Sequence, residues 1–237
     1  MDQQHKFKVL IADESHLHYA ETICTEMEES AKARGTGIAK RSPEYIREKM
    51  REGKAVIALT TEGRWAGFCY IETWGHGEYV ANSGLIVAPT FRKSGLAKQI
   101  KRCIFDLSRK KYPEAKIFGL TTGLAVMKIN SELGYEPVTY SELTQDEAFW
   151  AGCKSCVNYE ILMSKERKNC MCTAMLYDPQ DHYEPEETTA FFRQKSKVLE
   201  RLMGLKQLKF LQSLRRKDRD DAGEKKGRSI GSFFFNI

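Results

Sequence analysis

The segment from Val87 to Ala97 carries the residues whose chemistry is easiest to identify. It reads V-A-P-T-F-R-K-S-G-L-A and leads from an apolar, strand-like run through a short turn into a helical pattern. Gly95 lets a ligand approach the backbone of such a turn, and the free amides of a new helix favour an anionic group. Arg92, Lys93 and Lys98 add positive charge. The turn therefore predicts a phosphate or pyrophosphate site, with an ordinary solvated turn as the alternative.

The spacing V-x-P-x-x-R-x-x-G-x-A in this segment resembles the acyl-CoA pyrophosphate loop of the GNAT N-acetyltransferase superfamily. The order of predicted elements around it is also similar and ends in Leu133-Gly134-Tyr135, which looks like the LGY element of that superfamily. The resemblance covers residues 7 to about 140. It implies the GNAT fold, an α/β architecture with a mixed, mostly antiparallel, splayed sheet flanked by helices, followed here by a C-terminal extension.

The same resemblance implies how acyl-CoA binds, in the gap between strands 79–87 and 116–122. The backbone of strand 79–87 would bond the pantetheine arm and polarise the thioester carbonyl as an oxyanion site, and the amides of the turn would hold the pyrophosphate. The residues expected to bind CoA are Leu85, Ile86, Val87, Arg92, Lys93, Ser94, Gly95, Leu96, Ala97 and Lys98.

The sequence departs from the superfamily at the residue that protonates the leaving thiolate. Many members have a tyrosine four residues before the glycine of the LGY element, whereas this chain has Asn130. An amide does not supply a proton as a phenol does, which leaves a water, the hydroxyl of Ser131 or Tyr135, or no general acid.

A general base is also needed, because the attacking amine loses a proton. Glu72 is the preferred candidate, ahead of His76 and Glu78, although charged residues near strand ends are often merely solvated. The predicted catalytic residues are thus Glu72, Asn130 and Tyr135.

The acceptor site is predicted at the segment from Arg34 to Arg41, R-G-T-G-I-A-K-R, where the superfamily usually builds its acceptor pocket. Arg34, Lys40 and Arg41 suit a substrate that carries carboxylates, since a guanidinium pairs with a carboxylate through two hydrogen bonds. A solvated basic loop is the alternative.

The wider sequence, including RGTGIAKRSPEYI and CTAMLYDP, resembles a Bacteroidota group of GNAT proteins associated with arginine biosynthesis. That resemblance implies transfer of an acetyl or succinyl group from acetyl-CoA or succinyl-CoA to the α-amine of glutamate. Two other hypotheses stay open. One is a protein or peptide N-acetyltransferase, and the other is a non-catalytic acyl-CoA-binding regulator whose tail contacts nucleic acid.

Four of the seven cysteines form two close pairs with the spacing C-x2-C-x13-C-x-C. They are Cys153, Cys156, Cys170 and Cys172. Paired thiols at such spacing are typical of a structural zinc site. The alternative is four ordinary thiols that pack against Trp150 and Met175.

The charge is concentrated at the end of the chain. The 237 residues carry a net charge of +6, but residues 189–237 alone carry +8 and leave −2 for the rest. An apolar helical stripe between about 187 and 214 predicts packing on the domain or on a second subunit, as in a homodimer. Attachment to a membrane surface or to nucleic acid is the alternative.

No apolar run is long enough to span a membrane, and the first residues resemble no signal peptide, so we expect a cytoplasmic protein.

Periodicity and turn residues predict the elements that position these residues. Strands are predicted at 7–12, 55–61, 67–74, 79–87 and 116–122, and helices at about 17–33, 43–52, 95–111 and 124–133. We therefore divide the chain into an acyl-CoA-binding catalytic domain (1–140), a cysteine-bearing extension packed on it (141–186), and a basic amphipathic helix with a flexible tail (187–237).

Overall fold

The structure is a computed structural model that describes residues 6–35 and 40–182. These residues form a seven-stranded sheet with helices on both faces. The strands are β1 (Phe7–Ile11), β2 (Ala55–Thr60), β3 (Trp65–Trp74), β4 (Tyr79–Val87), β5 (Lys116–Thr121), β6 (Glu136–Val138) and β7 (Thr173–Tyr177). The α-helices are α1 (Ala20–Arg34), α2 (Pro43–Arg51), α3 (Leu96–Lys111), α4 (Leu124–Glu132), α5 (Glu147–Ala151) and α6 (Tyr159–Ser164).

The sheet is mixed but mostly antiparallel. Its strand order is β1-β2-β3-β4-β5-β7-β6, and β4 with β5 is its parallel pair. That pair is in register only from Tyr79 to Ala81 against Lys116 to Phe118. Beyond Ala81 the two strands separate, which opens the sheet at its centre and confirms the predicted splayed α/β fold.

Helices begin and end where the local chemistry predicts. The Ser42 hydroxyl accepts a hydrogen bond from the Tyr45 amide at 3.2 Å, and Pro43 occupies the first turn of α2. Gly35 ends α1 in the left-handed conformation. The apolar face of α3 covers one side of the sheet through residues such as Ile100 and Ile104, whereas α1 and α2 cover the other side.

A β-bulge in β4 lies at the point where the sheet opens. The register against β3 shifts between Phe68 and Tyr70, so that Phe68 pairs with Ile86 and Tyr70 with Ser83. Gly84 occupies this bulge with φ +66°, and a Cβ atom there would lie 2.3 Å from the Tyr70 ring. Glycine is therefore required both by the backbone conformation and by the close approach of the ring.

The segment after residue 140 contributes a strand to the sheet. β7 lies between β5 and β6 and pairs antiparallel with both. Around it, Phe118 of β5 packs with Tyr140, Leu143, Trp150 and other apolar side chains in a third hydrophobic cluster. Our sequence analysis missed β7, because a short strand buried in the sheet shows an apolar run without alternation. It also missed β6, a three-residue edge strand that is mostly exposed and too short to show a pattern.

The predicted basic tail and the end of the predicted extension lie outside the residues that the structure describes. The described residues belong to one unit that ends at His182, so the basic tail (187–237) and residues 183–186 of the extension lie outside them. The three-part division stays a prediction. None of the helices within residues 6–35 and 40–182 is long and apolar enough to cross a membrane.

Candidate active site

The opening between β4 and β5 forms a cleft of about 400 Å³. Its walls are residues 81–85 of β4 and residues 118–123 at the end of β5. Arg41 and Glu72 line one part of the cleft, and Lys101 of α3 and Asn130 of α4 line it as well. Residues of the extension, including Phe149 and Asn158, also line it. The cleft thus brings together groups from both faces of the sheet.

The predicted pyrophosphate turn connects β4 to α3. Lys93 and Gly95 both have positive φ, +65° and +81°, which turns the chain sharply into the helix. Gly95 precedes the first helical residue and has no side-chain cap, and a Cβ atom there would meet nothing within 4 Å. The first turn of α3 has no acidic residue. Exposed backbone at a helix N-terminus without a competing carboxylate suits an anion.

The side chains around this turn differ in their partners. Arg92 donates from Nε to the carbonyl of Val87 at 3.1 Å and from Nη2 to Ser30 and Glu26 at 2.7 and 2.9 Å. It therefore ties the turn to α1. Lys98 forms an ion pair of 2.7 Å with Glu132 of α4. Of the other predicted CoA-binding residues, Leu85 lines the cleft, whereas Ile86, Val87 and Leu96 are buried in the core.

Glu72 and Arg41 lie side by side in the cleft. Arg41 donates from Nη2 to Glu72 Oε1 at 2.9 Å, and the Tyr45 hydroxyl donates to the same oxygen at 2.5 Å. The Arg41 Nε group donates to the Tyr70 hydroxyl at 3.1 Å. Glu72 is only 6% exposed. Sequence analysis predicted Glu72 as a base and Arg41 as a substrate clamp, and it missed both their pairing and Tyr45.

The three predicted acceptor-site cations do not converge. Arg41 lines the cleft, whereas Lys40 is exposed and lies 3.5 Å from Glu28 of α1. Arg34 ends α1, but its side chain and residues 36–39 lie outside the described part of the chain. The candidate site thus has one of these cations, already paired with a carboxylate.

Asn130 and Tyr135 occupy different environments. Asn130 lines the cleft and is 1% exposed, and its Oδ1 atom has no hydrogen-bond partner. Tyr135 is buried in the core, where its hydroxyl donates to Asn82 Oδ1 at 3.0 Å. Burial raises the pKa of Tyr135 well above its usual value of 10. A phenol held in this way is a poor proton donor, so the structure favours another group for that step.

Sequence analysis also missed Lys101. This lysine directly follows the buried Ile100 and lies on the side of α3 that packs on the sheet, where it is 2% exposed. A signal was present, because residues 97, 101 and 105 are spaced by four along an apolar helix face. A lysine in that row is expected to be buried.

The predicted zinc site is not formed. Cys153, Cys156, Cys170 and Cys172 line one small cavity, but residues 6–35 and 40–182 contain no group of three or more His, Cys, Asp or Glu side chains that could hold a metal ion. Cys156 Sγ accepts a hydrogen bond from the Asn158 amide, and Cys170 Sγ donates to the Asn158 carbonyl. The thiols of Cys170 and Cys172 also interact with each other. Cys153 and Cys170 also pack against the cluster around Trp150, as expected for the alternative of ordinary thiols.

The fold is similar to that of several solved structures. N-acetylglutamate synthase from Neisseria gonorrhoeae, complexed with coenzyme A and N-acetyl-glutamate, matches over 73% of this chain with a TM-score of 0.51 and 16% identity. This chain spans about a third of that protein, since the match covers 35% of it. Rv2747 from Mycobacterium tuberculosis, in complex with CoA, has a TM-score of 0.52 and 15% identity over 72% of this chain and 98% of its own.

A further match is yncA from Salmonella typhimurium with its cofactor acetyl-CoA, with a TM-score of 0.52 and 12% identity over 76% of this chain and 98% of its own. The sequence matches no protein-family model and no curated protein. At such low identity the likeness concerns the fold. The chain has the fold of the GNAT acetyltransferases, a mixed sheet opened between β4 and β5 and flanked by helices.

Proposed function

We propose that this protein is an N-acyltransferase that moves an acetyl or succinyl group from CoA to the α-amine of an amino acid. The observation that carries the proposal is the cleft, which residues 81–85 of β4 bound and the buried carboxylate of Glu72 lines. The same strand leads into the glycine turn at the start of α3, which suits an anion. A pyrophosphate held at the turn lets the pantetheine arm run along β4 into the opening of the sheet. The thioester then lies within the cleft that Glu72 lines.

The residues of the cleft suit attack by an amine. Glu72 has one oxygen bonded to Arg41 and Tyr45, which fixes its orientation, and its second oxygen accepts no hydrogen bond from the described residues. That oxygen is available to take a proton from the amine, directly or through water. Much of the rate enhancement in such a transfer comes from holding the amine and the thioester close together in the correct orientation. The walls of the cleft supply this positioning.

Glutamate is the acceptor we favour, in a step of arginine biosynthesis. Arg41 is the one cation of the predicted acceptor site that lines the cleft, and its guanidinium has more N–H groups than the bonds to Glu72, Tyr70 and Lys40 use. The remaining N–H groups suit a substrate carboxylate. N-acetylglutamate synthase from Neisseria gonorrhoeae, complexed with N-acetyl-glutamate, has a similar fold, which is compatible with this acceptor. A polypeptide acceptor is less favoured, because Phe149, Cys153 and Asn158 of the extension line the cleft.

A competition experiment tests the proposal. The purified protein is incubated with equal acetyl-CoA and succinyl-CoA and the twenty free amino acids, and products are identified by mass spectrometry. A parallel reaction replaces the amino acids with peptides that have free N-termini. We expect one N-acylglutamate. Acylated peptides alone would contradict the choice of acceptor, and CoA binding without any acylated product would contradict the enzymatic function.

A further inference from the structure

A buried lysine without an anionic partner lines the cleft. Lys101 of α3 is 2% exposed, and among the described residues no carboxylate lies within 4 Å of its Nζ atom and no acceptor forms a hydrogen bond with it. The Nζ atom lies 5.1 Å from the centroid of the Tyr135 ring. Buried lysines are rarely left unpaired, because removing an ammonium group from water is costly.

A second buried polar atom in the same cleft also lacks a partner. Asn130 of α4 is 1% exposed, its Nδ2 group lies 3.7 Å from Met175 Sδ, and its Oδ1 atom has no hydrogen-bond partner. Unsatisfied buried polar groups are uncommon in folded proteins. Asn130 Oδ1 and Trp74 Nε1 are two such atoms in residues that line this cleft, beside the unpaired Lys101, which indicates that a ligand supplies the missing partners. An ammonium group and an amide oxygen suit a ligand that has both an anion and a hydrogen-bond donor.

We propose that Lys101 is the general acid of the transfer and protonates the CoA sulfur as it leaves. This inference rests on the proposed function and names a catalytic residue for it. When the tetrahedral intermediate collapses, the C–S bond breaks and its electron pair goes to sulfur. The sulfur takes a proton from Lys101 Nζ, which gives the CoA thiol and a neutral amine. The amine regains, through water in the cleft, the proton that the acceptor nitrogen has lost to Glu72 and solvent.

The surroundings of Lys101 suit this role. Burial lowers the pKa of Lys101 to about 8, close to that of an ordinary thiol, and a donor matched in this way is efficient near neutral pH. The titratable groups that face it are the Cys69 thiol of β3 and the Tyr135 hydroxyl beyond α4. Burial raises the pKa of Cys69 to about 11 and that of Tyr135 well above 10, so both stay neutral. The cleft-lining residues of β4 and β5 are not titratable, and Glu72 and Arg41 pair with each other.

The first test compares Lys101→Met with the wild type by the pH dependence of kcat for glutamate-dependent CoA release. Methionine keeps the length of the side chain and suits a buried site, and Lys110→Met, on the exposed side of the same helix, is the control. We expect the wild type and the control to lose activity above pH 8, and Lys101→Met to lose about 100-fold in kcat and to lack that descending limb. CoA affinity should change little. A wild-type kcat and pH profile in Lys101→Met would overturn the proposal.

A second test needs no turnover. The thiol of bound CoA is titrated by its ultraviolet thiolate absorbance, with free CoA as the reference. An ammonium group beside the sulfur should lower the pKa of the bound thiol below that of free CoA, and Lys101→Met should abolish the shift. An unshifted or raised thiol pKa in the wild type would overturn the placement of Lys101. The results distinguish the proposed function from the role of Lys101. A wild type that makes no N-acyl product refutes the proposed function. An active wild type with an equally active Lys101→Met refutes only the role of Lys101 as the general acid.

Discussion

Arg41 and Glu72 form an ion pair of 2.9 Å in the cleft. Arg41 directly precedes the N-cap residue of α2, and Glu72 lies near the C-terminal end of β3. Their side chains are 19% and 7% exposed, so water screens the pair poorly. The pair holds one carboxylate oxygen in place and leaves the other available for a substrate proton.

Glu72→Gln should therefore reduce kcat by about 100-fold or more while the Kd for acetyl-CoA stays within a factor of three. Glutamine keeps the shape of the side chain and can still accept from Tyr45, so the fold should be retained. Steady-state kinetics and a CoA titration measure the two effects. Glu78→Gln, at an exposed residue in the connection between β3 and β4, is the control and should behave as the wild type. Equal kcat values for the two variants would contradict a role for Glu72 as the base.

Gly95→Val should weaken CoA binding by about tenfold or more, because a branched side chain would block the approach of the pyrophosphate to the amides of the turn. Gly63→Val is a matched control. Both glycines have positive φ, +79° at Gly63 and +81° at Gly95, and a Cβ atom at either would meet nothing within 4 Å. The two variants should lose comparable stability, about 1–3 kcal/mol, and differ in CoA affinity. Calorimetric titration with CoA measures the Kd of each variant. Equal Kd values for Gly95→Val and Gly63→Val would contradict the predicted pyrophosphate site.

Gly84→Ala should destabilise the protein by about 2 kcal/mol or more, because its Cβ atom would lie 2.3 Å from the Tyr70 ring and 2.7 Å from the Met27 methyl group. The positive φ adds to the cost. Gly152→Ala is the control, since its Cβ atom would meet nothing within 4 Å, and it should change stability by about 0.5 kcal/mol or less. Urea unfolding measures both. A stability of Gly84→Ala equal to that of the wild type would show that the bulge is not constrained as described.

The ion pair of Asp178 with Lys116 predicts a pH-dependent stability. Burial alone would raise the pKa of Asp178, but hydrogen bonds from Lys116 at 2.7 Å and from the Gln180 amide lower it below its usual value. A carboxyl group whose pKa is lower in the folded than in the unfolded state stabilises the fold at pH values above the usual pKa of about 3.9. This stabilisation is lost as the pH falls through the pKa of the folded state.

Asp178→Asn should thus cost about 1 kcal/mol at pH 7 and progressively less below pH 4. Asp181→Asn, an exposed neighbour, is the control and should cost little at either pH. Urea midpoints across this pH range measure the difference, and a constant difference between Asp178→Asn and the wild type would contradict the assigned pKa direction.

The sequence allowed most elements up to Leu133 to be predicted to within a few residues, because their periodicity and their turn residues agree. The strand β4, predicted at 79–87, has the same bounds in the structure. The strands β6 and β7 were missed. The hydropathy pattern of β7 does not identify it as a strand, and it forms because it pairs with β5 and β6 on its two sides. The pairing of Arg41 with Glu72 joins residues 31 apart through tertiary packing, which spacing alone does not reveal.

The measurement that tests the central claim most directly is a crystal structure of the protein with CoA and glutamate. We predict the pyrophosphate oxygens at about 3 Å from backbone amides between Arg92 and Ala97, the pantetheine arm along β4, and the sulfur atom in the cleft that Lys101 and Glu72 line. CoA bound at another surface, with the cleft between β4 and β5 unoccupied, would contradict the account.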